Sequence, residues 1–284
     1  MASHFSLEPL ASNLFMLYLV ATPIGNLEDM TFRAVRVLKE VDLIACEDTR
    51  HSRKLLQHYG ISTRLTSFFE HNERDKGEKL LVELRAGKDI ALISDAGTPA
   101  ISDPGYRLVR RCHEAGIGVS IVPGPQAAVS SLAVSGLPTD RFAFEGFLPA
   151  RSGARRDRLT ALLSEERTLV FYESPHRLAA TLADLAGLCP QREVVVVREL
   201  TKLHEEICRG SAGELAERWR AEKVRGEVVL LLAPAEPVEP ELDLDTVLRA
   251  ALEAGEPMKE ISRKLAKVYG MSGSEVYARA LALK

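Results

Sequence analysis

The stretch Ile90-Ala-Leu-Ile-Ser-Asp-Ala-Gly-Thr-Pro-Ala-Ile-Ser-Asp-Pro-Gly105 joins an apolar run to a loop of small residues, glycines and prolines. A short apolar run bounded by turn formers predicts a buried strand, and the residues after the loop predict a helix. In an open α/β sheet, ligands bind beyond the carboxyl ends of the strands, where glycines allow close approach. The stretch therefore predicts an α/β fold with a ligand site in this loop.

The alternation of apolar runs and amphipathic stretches continues on both sides of the loop. Strands are predicted at 17–22, 42–46, 90–94 and 118–122, with helices at 31–39, 50–58, 106–115 and 126–135. Beyond a break at 136–138, strands are predicted at 142–146, 168–172, 193–198 and 228–232, with helices near 155–164, 177–188 and 213–219. Such alternation is typical of βαβ units and a mainly parallel sheet. It predicts two α/β domains, 15–138 and 139–235.

A small helical module is predicted at 236–284, after a linker rich in proline and glutamate at 233–240. Apolar residues recur there at helical spacing, and two glycine-containing breaks divide them into three helices. Residues 236–256 hold seven acids and one arginine, whereas 257–284 hold six Lys or Arg and two glutamates. This pattern predicts a helix-turn-helix-like unit, with a plain dimerisation or docking module as an equal alternative.

Composition limits the classes of function. The 284 residues are 46% hydrophobic and 27% charged, which is typical of a globular protein. The net charge is −3, so a polyanion such as RNA would bind only at a local basic patch. The four cysteines form no CxxC pair, which argues against a zinc site or a disulfide framework and fits a reducing cytoplasm. Nothing approaches the roughly 20 apolar residues needed to cross a bilayer, so no membrane contact is expected.

Two more loops at predicted strand ends combine proline with glycine, namely Thr22-Pro-Ile-Gly-Asn26 and Val122-Pro-Gly-Pro-Gln126. Each alone is more typical of a structural turn, but three at one sheet edge predict a ligand-binding rim. The second half of the central loop also fits a capped turn, with Asp103 as N-cap and Pro104 at the first helical position. The chain has neither GxGxxG nor GxxxxGK[ST], which argues against a standard dinucleotide or P-loop site.

Six motifs together resemble the tetrapyrrole methylase superfamily, and within it the ribosomal RNA small-subunit methyltransferase I branch. They are Leu19-Val-Ala-Thr-Pro-Ile-Gly-Asn26, Cys46-Glu-Asp-Thr-Arg50, Ser94-Asp-Ala-Gly-Thr-Pro99, Val122-Pro-Gly-Pro125, Tyr172-Glu-Ser-Pro-His-Arg177 and Arg198-Glu-Leu-Thr-Lys202. The resemblance covers about residues 15–235. It implies S-adenosylmethionine folded in a cleft between the two α/β domains, methylation of a cytidine ribose 2′-hydroxyl in the decoding region, and a homodimer.

The resemblance assigns expected roles to individual residues. Cofactor contacts are expected from Pro23, Gly25, Asp95, Ala96, Gly97, Thr98, Pro99, Ser102, Pro123, Gly124, Ala127 and Tyr172. A general base should deprotonate the ribose hydroxyl, and Asp48, Glu173 and Lys202 are the candidates. No metal is needed, because a sulfonium methyl is already activated.

Binding of ribosomal RNA, free or in an assembled small subunit, is expected at a basic surface. Four arginines fall within 151–158, and arginine suits phosphate because its planar fork donates two hydrogen bonds. The alternative is a solvated basic helix start. The expected RNA contacts are Arg50, His71, Arg151, Arg155, Arg156, Arg158, His176 and Arg177, and Phe68, Phe69 and Phe147 could stack an unpaired base. Methylation of a porphyrin-like ring and a non-catalytic RNA-binding regulator remain the alternative functions.

Overall fold

The computed structural model describes residues 15–221, 223–235 and 242–283. The chain divides into two compact units, one ending at Pro234 and the other beginning at Ala235. The first unit contains two five-stranded sheets, and the second contains three helices. The predicted two-sheet α/β fold with a helical C-terminal module is confirmed.

The first sheet is wholly parallel, with strand order β3-β2-β4-β1-β5. Its strands are β1 Met16–Val20, β2 Leu43–Cys46, β3 Leu65–Ser67, β4 Ile90–Ile93 and β5 Gly118–Val122. The central strands β2 and β4 are buried at every position, as expected where helices cover both faces. The covering helices are α1 Phe32–Glu40, α2 Thr49–His58, α3 Glu73–Arg85 and α4 Tyr106–Glu114.

The second sheet is mixed, with strand order β6-β7-β10-β8-β9. Its strands are β6 Phe142–Phe147, β7 Thr168–Glu173, β8 Glu193–Arg198, β9 Glu206–Ser211 and β10 Val228–Leu232. Only β6 and β7 run parallel, so this second α/β sheet does not have the parallel pairing of the first. Helices α6 Ser152–Ala161, α7 Leu178–Leu188 and α8 Ala212–Trp219 pack on one face.

Helix α5, Ala127–Ser135, covers the other face of this second sheet. Its residues Ala128 and Leu132 lie in one apolar cluster with Val170, Val195 and Leu231 of the second sheet. The sequence predicted this helix in the domain that ends at 138, because the chain break follows it. In the structure α5 packs on the second sheet. The predicted boundary at residue 138 therefore separates α5 from the sheet on which it packs.

The C-terminal unit contains α9 Leu244–Glu253, α10 Met258–Val268 and α11 Gly273–Ala282 around a small apolar core. Asp243 caps α9, and Asp245 forms an ion pair with Arg279 of α11. Residues 236–240 of the predicted linker lie outside the described residues. Among the residues that the structure describes, no helix is long and apolar enough to span a membrane.

Candidate functional site

The three proline- and glycine-containing loops of the first sheet are hydrogen-bonded to one another. Thr22 and Gly97 form an isolated β-bridge, with N···O distances of 2.9 and 3.0 Å. The Thr22 hydroxyl also donates to the Ser94 carbonyl, and the Thr98 hydroxyl donates to the carbonyl of Pro125. The sheet order β4-β1-β5 places these loops side by side, and the bonds then fix them as one rim.

A cavity of about 400 Å³ lies between this rim and strands of the second sheet. Its size falls within the range usual for small-molecule sites. Seven of the predicted cofactor contacts line it, namely Asp95, Ala96, Gly97, Thr98, Ser102, Ala127 and Tyr172. The lining does not include Pro23, Gly25, Pro99, Pro123 or Gly124, which belong to the same loops. The structure thus brings the central loop and the second sheet together around one cavity.

The central loop has an unusual backbone. Gly97 has φ +80°, and Ala100 and Ser102 have φ +68° and +61°, values that side-chain-bearing residues rarely adopt. Such conformations store strain and concentrate at functional sites. The hydrogen bonds of the rim hold this strained loop in place.

Asp103 is a cavity-lining carboxylate that the sequence assigned to a helix cap. The N-cap of α4 is Gly105, at φ +138°, so the predicted capping role of Asp103 is wrong. Burial is the largest cause that raises the pKa of Asp103 to about 6, and the negative charges of Glu47 and Asp95 raise it further. A hydrogen bond with Ser94 acts in the opposite direction and lowers this pKa. Glu47 follows β2, so the ends of two neighbouring strands supply these charges.

Glu173, a candidate base, is fully buried in the cavity wall. One carboxylate oxygen accepts from Arg177 Nε at 2.8 Å and from the Ser174 amide at 2.7 Å, and the other accepts from the Thr181 hydroxyl at 2.6 Å. Both oxygens are therefore occupied by fixed donors. This arrangement favours a structural anchor for the turn after β7 over a proton acceptor.

Asp48, the second candidate, caps α2. Its carboxylate accepts from the Arg50 amide at 2.7 Å, and this bond holds its pKa below the ordinary value. Its own amide donates to Asp95 at 3.2 Å, so it lies next to the rim, although it does not line the cavity.

Lys202, the third candidate, bridges two glutamates, with Nζ 2.7 Å from Glu199 and 2.9 Å from Glu227. Burial alone would lower the pKa of Lys202, but the hydrogen bonds to the two carboxylates outweigh it and raise that pKa. The amine is therefore held protonated. A protonated amine cannot accept a proton, so this geometry opposes the role of base.

The predicted basic surface divides into buried and exposed arginines. The Arg155 side chain is only 5% exposed and pairs with Asp184 of α7 at 2.7 Å. It faces the interior because it lies on the side of α6 that packs on α7, so the expected phosphate contact from Arg155 is not available. Arg151 and Arg156 are exposed, and Arg158 pairs with Glu145 of β6.

The other predicted RNA contacts differ in their surroundings. Arg50, His71 and His176 are exposed. Arg177 instead binds Glu173 and donates to the carbonyl of Leu148 at 3.2 Å, so it links the turn after β7 to β6.

Sequence reasoning missed the part of the lining that comes from the far end of the second sheet. Leu200, Gly226 and Glu227 lie on turns after β8 and before β10 and reach the cavity only because the strands pair antiparallel. Gly226 and Glu227 belong to none of the six motifs, and Leu200 lies within Arg198-Glu-Leu-Thr-Lys202 but had no expected contact. Asp103 carried a usable signal, since Ser102-Asp-Pro-Gly repeats the pattern of Ser94-Asp-Ala-Gly.

Comparison with known proteins agrees with this architecture. Residues 16–216 match the family model of Tetrapyrrole (Corrin/Porphyrin) Methylases. Proteins called ribosomal RNA small subunit methyltransferase I are similar over most of their length. The protein from Escherichia coli O157:H7 is 50% identical, covering 93% of this chain and 94% of its own, and that from Pasteurella multocida is 47% identical, covering 94% and 96%.

A solved structure supports the fold. Uroporphyrin-III C-methyl transferase from Thermus thermophilus, complexed with S-adenosyl homocysteine, aligns with a TM-score of 0.54 at 22% identity, covering 77% of this chain and 97% of its own. The chain therefore belongs to the tetrapyrrole methylase family, among the ribosomal RNA small subunit methyltransferase I proteins.

Proposed function

We propose that this protein transfers the methyl group of S-adenosylmethionine to the 2′-hydroxyl of a cytidine ribose in small-subunit ribosomal RNA. The observation that carries the proposal is the cavity bounded by the Ser94–Pro99 loop and the second sheet, in a chain half identical to named ribosomal RNA methyltransferases. The substrate is free RNA or an assembled small subunit.

The cavity fits the methyl donor. Its rim at Ala96, Gly97 and Thr98 has small side chains, so backbone groups are open to a ligand, and Ile24, Val197 and Leu200 supply apolar surface. The related Thermus thermophilus structure holds S-adenosyl homocysteine, the demethylated form of the donor. When bound, the donor supplies a methyl group on a positively charged sulfur that leaves as a neutral thioether.

Asp103 is our proposed proton acceptor. In the transfer, the ribose oxygen forms a bond to the methyl carbon as the bond from carbon to sulfur breaks, and the hydroxyl proton must go to a base. Asp103 lines the cavity, and burial raises its pKa to about 6, so near neutral pH the carboxylate is ionised and can accept a proton. Asp48 remains the alternative base, because its amide donates to Asp95 at the rim and its carboxylate is exposed, whereas both Glu173 oxygens and the Lys202 amine are held by partners within the protein.

The proposal also includes the surface that binds RNA and the oligomeric state of the protein. Arg151, Arg156 and Arg158 would bind phosphates, and Arg50, His71 and His176 would extend the contact. A homodimer and a cytoplasmic location belong to the proposal as well. The almost fully exposed ring of Phe32 on α1 supplies apolar surface for a second copy.

The test compares three acceptors with the full-length protein and labelled S-adenosylmethionine. We expect label in small ribosomal subunits or their RNA, and none in a tetrapyrrole precursor or without acceptor. Label in the tetrapyrrole would support the porphyrin-like alternative. RNA binding without label in any acceptor would support a non-catalytic regulator.

A further inference from the structure

Strand β6 carries a bulge beside the cavity. Its parallel pairing with β7 shifts register between Phe144 and Gly146, and Gly146 adopts φ +64°. A bulge turns the following side chain away from the regular alternation of the strand. The residue that follows is Phe147, which ends the strand.

Phe147 is an aromatic residue exposed at the cavity. Its side chain is 58% exposed yet lines the cavity together with Ser102 and Asp103. Its ring centroid lies 5.6 Å from that of Tyr172, at an interplanar angle of 59°, and Tyr172 packs edge-on against Phe144 at 4.9 Å. The ring is therefore supported by a second aromatic residue while much of its surface is left uncovered.

The other aromatics that could stack a base are placed differently. Phe68 is 1% exposed and belongs to the core of the first sheet. Phe69 is partly exposed but does not line the cavity. Of the three, Phe147 combines exposure with a place at the cavity.

Arginines that suit a nucleic-acid backbone follow Phe147 in the chain, and Arg151 and Arg156 at the start of α6 are exposed. Arg158 of the same helix pairs with Glu145, two residues before Phe147, so α6 lies beside this end of β6. A single-stranded nucleotide is held by cations along its backbone and by an aromatic face under its base. The end of β6 supplies the aromatic face, and the exposed arginines of α6 supply the cations.

We propose that Phe147 is the surface on which the base of the acceptor nucleotide stacks while its ribose hydroxyl reaches the cavity. The inference rests on the proposed function and adds the residue that holds the base. Stacking accepts any base, since every base has a π face, so Phe147 would bind and place the nucleotide without selecting cytosine.

The test uses three substitutions of Phe147 and a matched control on the same strand. Phe147→Ala removes the ring, Phe147→Trp keeps an aromatic face, and Phe142→Ala removes a ring that is 39% exposed but does not line the cavity. We expect Phe147→Ala to raise KM for the ribosomal substrate about tenfold or more, from the usual strength of base stacking. Phe147→Trp and Phe142→Ala should stay within about threefold of wild type, and calorimetric affinity for S-adenosylmethionine should not change.

Three outcomes would overturn the inference. They are an unchanged KM in Phe147→Ala, a Phe147→Trp defect as large as that of Phe147→Ala, and a loss of donor affinity, which would place Phe147 against the donor. Phe147→Leu guards against misfolding, because it keeps apolar volume without a π face and should match the alanine variant. If wild type itself fails to methylate ribosomal RNA, the proposed function fails, whereas an active wild type with an equally active Phe147→Ala variant refutes only the stacking.

Discussion

The side chain of Lys202 lies directly over Gly25, so that a β-carbon at Gly25 would come within 2.7 Å of Lys202 Cε and 3.1 Å of Cδ. Gly25 follows β1 of the first sheet, and Lys202 follows β8 of the second. Lys202 also binds Glu199 and Glu227, and Glu227 lines the cavity. The absence of a side chain at Gly25 therefore allows the two sheets to close one wall of the site.

Gly25→Ala should displace Lys202 and open this wall. Small displacements of groups that position a substrate reduce rates strongly, so we expect methyl transfer to fall roughly 10- to 100-fold. Gly77→Ala is the control, because a β-carbon there meets nothing within 4 Å. Initial rates with small subunits, and thermal unfolding of both variants, check the prediction. Equal rates in the two variants would show that the contact has no functional role.

Asp103→Asn should lower the rate of methyl transfer and raise the stability of the folded protein at pH 7.5. The pKa of Asp103 is raised from 3.8 to about 6 in the folded protein, so the folded state binds this proton more tightly than the unfolded chain. Stability contributed by the protonated carboxyl is therefore lost as pH rises from about 4 to about 6. At pH 7.5 the loss is at most about 3 kcal/mol, from about 1.4 kcal/mol per pKa unit.

The asparagine variant should accordingly have a higher Tm than wild type at pH 7.5 and a similar Tm near pH 4. Its transfer rate should fall about 100-fold or more, as expected for a lost general base, and the wild-type rate should decline as pH falls below about 6. Asp140→Asn, a change at an exposed loop position, is the control. If Asp103→Asn transferred the methyl group as fast as the wild-type protein, Asp103 would not be the base, and Asp48 would be the remaining candidate.

The exposed arginines at the start of α6 should control the salt dependence of RNA binding. Replacing Arg151 and Arg156 by alanine should reduce the slope of log affinity against log salt by about 1.5, from about 0.7–0.9 per phosphate. Arg36 and Arg110, exposed arginines of α1 and α4 that pair within their own helices, give the matched double variant. If the slope of log affinity against log salt did not change in the Arg151 and Arg156 double variant, these arginines would be solvated surface residues without a phosphate contact.

The C-terminal unit should aid RNA capture, because its second half is basic and its helices form a compact core of their own. Ending the chain after Pro234 should leave donor affinity unchanged and raise KM for the ribosomal substrate. If these helices only join two copies, the mass in solution should change while RNA affinity per subunit does not. Loss of donor binding would contradict both roles.

Much of the fold could be predicted because apolar periodicity is a local signal. The strands at 118–122, 193–198 and 228–232 have the predicted bounds. Two strands and one α-helix were missed: β3 has only three residues, the apolar pattern of α3 is interrupted by charged residues and by Gly77, and β9 carries charged residues at a sheet edge.

Relations between distant segments could not be predicted. The spacing of the apolar residues in α5 is the same whichever sheet buries the helix, so sequence alone could not assign α5 to the second sheet. The burial of Arg155 depends on Asp184, which lies 29 residues away. Likewise, the raised pKa of Asp103 depends first on its burial by the fold and then on the charge of Glu47 at the end of another strand.

The most direct test of the central claim is to find where the methyl group goes. Small subunits are treated with the wild-type protein and labelled S-adenosylmethionine, and their RNA is digested to nucleosides and analysed by mass spectrometry. We predict label on the ribose of cytidine as 2′-O-methylcytidine, and its loss in the Asp103→Asn variant. Label on a base, or on the ribose of another nucleoside, would contradict the account.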